Sequence, residues 1–107
     1  MTHRTIEINN KEYKLRYDFN AVCEIEEKSG KSIMHIASTE NMGVSTIRLL
    51  LWGGLKHNNE GMTVKQAGEL IQEYMNADGE LENLVTKITE AITESGAFGK
   101  NLKAGEK

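Results

Sequence analysis

Strict alternation of apolar and polar residues is confined to residues 5 to 17 of this chain. Beyond them the apolar residues recur at steps of three and four. Alternation with period two marks a half-buried strand, and a period near 3.6 marks an amphipathic helix. One switch between the two allows one small sheet at the N-terminal end and helices after it. In "TIEINNKEYKLRY", Ile6 and Ile8 share one face while Thr5 and Glu7 share the other. A polar segment, Asn9-Asn10-Lys11-Glu12, separates them from Tyr13, Leu15 and Tyr17, which again share a face. This predicts a β-hairpin, and an isolated hairpin is barely stable in water. Its apolar face must therefore lie on helices.

The helical part divides at glycine and asparagine, because the chain has no proline. A helix is predicted near 18–29, with Phe19, Val22, Cys23 and Ile25 inward and Glu24, Glu26, Glu27 and Lys28 outward. Ser29-Gly30 stops it, and Ser32 can cap a short turn over "SIMHIA" whose buried side is Ile33, Ile36 and Ala37. After a loop at 38–43, residues 45–57 form the most apolar segment. Ile47, Leu50, Leu51 and Leu55 make its stripe, and Leu49 and Trp52 widen it. Gly53 and Gly54 cost about 1 kcal/mol each in helix propensity. Close approach of a neighbour would offset that cost, and a helix break at that point is the alternative. "HNNEG" is a loop, and Thr63 and Gln66 then match a capping box with Met62 placed to staple over Ala67. The helix they start runs to about Asn76, with Val64, Ala67, Leu70, Ile71 and Tyr74 on one face. After a break at "NADG", a last helix near 80–94 carries Leu81, Leu84, Val85, Ile88, Ala91 and Ile92, and Ser95-Gly96 ends it. The expected fold is α+β and mainly α, a hairpin packed on a bundle of about four helices. Residues 1–96 are expected to form one domain, and 97–107, with two glycines and few apolar residues, a flexible tail.

At 107 residues the domain can bury only about 65% of its unfolded surface, which leaves little room for a deep cleft. The net charge of -3 gives no basic field for nucleic acid. The local cluster Lys11, Lys14 and Arg16 reads as a solvated strand edge. A helix-turn-helix reading of 45–57 and 63–75 fails because the second helix offers Lys65 against Glu69 and Glu73. Cys23 is the only cysteine and suits a packed thiol in a cytosolic chain. His3, His35 and His57 are far apart and lack the spacing of metal ligands. The carboxylate pairs Glu26-Glu27 and Glu80/Glu82 fall on predicted solvent faces. Gly53-Gly54 lacks the Lys-Ser/Thr of a phosphate loop, and no serine sits in a nucleophile elbow. No catalytic, cofactor or metal site is expected, no apolar run is long enough to span a membrane, and the start lacks the apolar core of a signal peptide. The remaining candidates are Trp52, Met34, Met42, Met62 and Met75. Methionines repack easily and line adaptable binding surfaces, although most fill gaps in small cores.

The order of these elements, with Phe19-Asn20, Glu24, "EKSGKSI", "LLWGGL" at 50–55 and the helix start from Thr63 to Gly68, resembles the small tail assembly chaperones of long-tailed bacteriophages and gene transfer agents. The likeness covers residues 5 to 75 and rests on structural positions, Phe19, Gly30, Leu51, Gly53, Gly54 and Leu55 among them. It implies a non-enzymatic, mainly helical binder in the cytoplasm of a bacterial host. Such a protein holds the tape measure protein soluble, helps recruit tail tube subunits and is absent from the finished virion. Trp52, Met62, Tyr74 and Met75 are then the candidate partner-binding residues. The helix at 18–29 would be scaffold, and its acidic outer face would keep the complex in solution. A homo-oligomer is left open. The family often makes an extended form by ribosomal frameshifting, and Lys100-Asn101 is a dipeptide that slippery AAA-AAC codons can encode. A head–tail connector and a small helical adaptor from a mobile element are the competing classes.

Overall fold

The computed structural model describes residues 4–36, 43–59 and 61–95. Strands β1 (Arg4–Ile8) and β2 (Lys11–Leu15) form an antiparallel pair. The helices are α1 (Phe19–Ser29), the single turn α2 (Ile33–Ile36), α3 (Val44–Leu55), α4 (Val64–Asn76) and α5 (Leu81–Ser95). A 3-10 turn, Lys56–Asn58, continues α3. The expected hairpin on a mainly helical body is thus present. Ala37, Met42 and the tail from Gly96 onward lie outside the described residues, as does His3.

The hairpin turn is tighter than its polar stretch suggests. Only Asn9 and Asn10 form it, with φ of 53° and 64°. Two successive left-handed residues make the turn whose twist matches that of the flanking strands, and asparagine tolerates that conformation. Lys11 and Glu12 therefore belong to β2, opposite Ile8 and Glu7. Ile6, Ile8, Leu15 and Tyr17 are buried on the inner face, with Tyr13 half-buried.

Each helix end has a local cause. The Asp18 carboxylate accepts the Ala21 N–H at 2.8 Å and starts α1. Gly30, at φ 75°, ends it, and its N–H donates to the Glu26 carbonyl. The Glu26 side chain then accepts the Ile33 N–H at 2.7 Å and fixes α2 to the end of α1. Thr63 and Gln66 form both bonds of the capping box of α4, as their spacing predicts.

Helix α3 is the hub, packed against α1, α4, α5 and β2. Ile47, Leu50, Leu51, Leu55, Trp52 and both glycines are buried. The helix runs unbroken through Gly53 and Gly54, and close approach is what these glycines permit. A Cβ at position 54 would lie 2.6 Å from the Tyr17 ring and hydroxyl, and one at position 53 would overlap the Ile25 side chain. The Arg16 N–H donates to the Gly54 carbonyl at 2.9 Å, which holds the chain after β2 against α3. Phe19 departs from expectation. At the first position of α1 it is 70% exposed, and the inner face consists of Ala21, Val22 and Ile25. Cys23 is only half-buried. One continuous cluster runs from Ile6 to Ile92.

Candidate partner-binding surface

The sequence candidates separate into two environments. Trp52 is only 6% exposed. Its indole N–H donates to the Met62 carbonyl at 2.9 Å, which ties α3 to the entry of α4. Lys28 and Lys56 lie 5.3 and 5.6 Å from the ring centre, and Lys56 also pairs with Glu24 at 2.6 Å. Cation–π contact of this kind covers the ring. Trp52 is therefore an internal strut, in keeping with its place in the apolar stripe of 45–57, and presents little surface to a partner. Met62 and Tyr74 are half-buried against the core, while Met75 is 45% exposed.

Helix α4 brings the exposed apolar surface together. Ala67 is its one fully buried residue. Val64, Leu70, Ile71 and Tyr74 are only half-buried, although the periodicity places them on the inward face. The small side chain at 67 lets α4 lie close to α3 along a narrow seam, and β1 touches its other flank. Open hollows remain on both sides.

Between α4 and the hairpin lies a hollow of about 400 Å³. Tyr13, Met62 and Leu70 line it, with Lys11, Glu69 and Glu73 at its rim. The Asn9 side-chain amide donates to the Glu73 carboxylate at 2.9 Å across one end. Between α4 and α3, Val44, Gly68 and Ile71 line a second hollow of about 270 Å³, walled by Ser45 and Arg48. The same two residues also wall a third, of about 470 Å³, which Ile36, Leu49 and Val64 floor and Lys28, Lys31 and His35 border. Val44 is 73% exposed at the mouth. Arg48 was not anticipated as a surface residue of interest. Its signal in the sequence is that it is the one charged residue in helix α3, "VSTIRLLLWGGL".

Among the described residues no group of three or more His, Cys, Asp or Glu is placed to hold a metal. The His57 ring lies 3.1 Å from the Lys14 carbonyl, far along the chain from His35. None of the described helices is long and apolar enough to cross a membrane. No family model, curated protein or solved structure matches the chain.

Proposed function

We propose that this chain is a non-enzymatic tail assembly chaperone that binds helical segments of a tape measure protein and helps recruit tail tube subunits. The observation that carries the reading is the incomplete cover of α4. A small domain that buries Leu50, Leu51, Leu55, Leu84 and Ile88 completely leaves Val64, Leu70, Ile71 and Met75 partly open on one helix. A half-covered stripe flanked by grooves suits an amphipathic helix laid alongside it. A tape measure protein is a long helical chain whose apolar stripes need such cover before the tail tube encloses it. The likeness of the "LLWGGL" core and the Thr63 helix start to tail assembly chaperones supports the same reading. The protein would act in the host cytoplasm and leave before the particle is complete.

Co-expression with a tape measure protein from the same genome is the test. The soluble yield of the tape measure protein should rise, and mass spectrometry of finished particles should lack this chain. No gain in yield, with the chain retained in particles, would replace the chaperone with a head–tail connector.

A further inference from the structure

Two adjoining hollows that share Ser45 and Arg48, one between α3 and α4 and one enclosed by the end of α1, α2, α3 and Val64 of α4, make a groove that differs in charge from the molecule as a whole. The chain carries a net charge of -3, yet no Asp or Glu among the described residues lines either hollow of this groove. Lys28, Lys31, His35 and Arg48 do. Among the described residues none of these four forms an ion pair. Of the carboxylates on α1, Glu24 pairs with Lys56 and Glu26 accepts the Ile33 N–H, while Glu27 is exposed and lines neither hollow. On α4 the acidic residues Glu69 and Glu73 face the opposite hollow, beside the hairpin.

The floor of the groove is apolar. Val64, Gly68 and Ile71 line it from α4 at steps of four and three, Val44 and Leu49 approach from α3, and the same spacing continues beyond the hollows to the exposed Met75. From Val64 to Met75 this stripe is about 16 Å long, enough for about three turns of a guest helix. Arg48 stands in the middle. Its stem packs on the bare backbone of Gly68, where an added Cβ would lie 2.9 Å from Cδ. The contact holds the stem over the apolar floor and leaves the guanidinium at the rim.

We infer that this groove docks an amphipathic helix whose apolar stripe is bordered by carboxylates. Apolar side chains of the guest would cover Val44, Ile71 and Val64, and its carboxylates would meet Arg48 and Lys31. Arginine forks match carboxylates in two-point contacts, which adds orientation to the attraction. Nucleic acid is the poorer fit. Among the described residues no Phe, Tyr or Trp lines the groove to stack a base, and the floor is aliphatic. This inference rests on the chaperone reading for the identity of the guest, but its chemistry can be tested separately.

The probe is a labelled synthetic helix of about eighteen residues, long enough to hold helical structure, with leucines on one stripe and glutamates on its flanks. A control carries lysines in place of the glutamates. The acidic helix should bind roughly tenfold or more tighter than the control, and Arg48→Glu should remove most of that difference. Arg48 is exposed, so the variant should fold, and its melting curve checks this. Gly68→Ala, which displaces the Arg48 stem, should also weaken binding without loss of fold. Amide NMR shifts should map to 44–49 and 64–75. Equal binding of both helices, indifference to Arg48→Glu, or shifts confined to the Tyr13 and Leu70 hollow would overturn the inference. So would an oligonucleotide that displaces the acidic helix, or self-association of this chain abolished by Arg48→Glu. Tape measure solubility that survives Arg48→Glu would sink the groove and leave the chaperone standing. Binding of the acidic helix with no effect on the tape measure protein would do the reverse.

Discussion

Tyr17 shows how one side chain can join a hairpin to a helical core. It is fully buried, and its hydroxyl donates to the Leu50 carbonyl at 2.6 Å. The ring occupies the space that Gly54 leaves free. Burial pushes the phenol well above its ordinary value of about 10, because the phenolate cannot be solvated there. The consequence for stability has a definite sign. Above about pH 10 the unfolded chain loses the Tyr17 proton while the folded chain retains it. The unfolded state then binds fewer protons, so stability falls as pH rises, by about 1.4 kcal/mol per unit from this group. Tyr17→Phe should lose about 1 kcal/mol at neutral pH, through the missing hydrogen bond. It should also flatten the alkaline fall, and urea melts at pH 7 and pH 11 check both parts. Alternation in the sequence placed Tyr17 on the inner face, but the partners Gly54 and Leu50 lie more than thirty residues away and depend on how the elements pack. Phe19 shows the limit at the same scale. A large apolar residue in an apolar period reads as core, yet the first position of α1 projects beyond the seam with α3.

At the scale of elements, the features with short-range causes were legible. The Thr63 and Gln66 box requires residues only three positions apart, and both of its bonds are present. Thr63→Ala should cost about 1 kcal/mol by chemical denaturation, since it strips the cap from α4 and leaves its first N–H groups to water. The apolar stripe of 45–57, widened by Leu49 and Trp52, required cover from the rest of the fold or from a partner, and the structure supplies it from four elements packed on α3. Leu51 is fully buried, and Leu51→Ala should cost roughly 2–5 kcal/mol. Such a loss would appear as a large drop in melting temperature, and an unchanged melt would show that α3 is not the centre of the fold. What the sequence could not supply was the cover on α4. Periodicity identifies Val64, Leu70, Ile71 and Tyr74 as one face, but the share of that face hidden depends on the breadth of what packs on it. The narrow Ala67 seam leaves it half open, and so the groove residues Arg48 and Gly68 became visible only when α3 and α4 were side by side.

At the scale of the molecule, a net charge is a sum and does not show how charge is arranged. The -3 of this chain conceals a groove with basic walls on one flank of α4 and a hollow bearing Glu69 and Glu73 on the other. The two kinds of interaction that hold and use the fold should therefore respond differently to salt. Stability comes from the apolar cluster between Ile6 and Ile92. The ion pairs among described residues are partly exposed, Lys56 with Glu24 and, at 3.9 Å, Arg16 with Asp18. Exposed pairs contribute little, and salt weakens them further. Raising sodium chloride from about 50 mM to about 500 mM shortens the screening length from roughly 14 Å to roughly 4 Å. The melting temperature should scarcely move, because apolar burial does not depend on that length. Docking of a carboxylate-flanked helix should weaken severalfold over the same range, because Arg48, Lys31 and Lys28 act on it through solvent at the rim. Thermal melts and anisotropy titrations in the same buffers separate the two responses. If affinity is as insensitive to salt as the melt, the apolar floor alone accounts for binding and the basic wall contributes nothing to it.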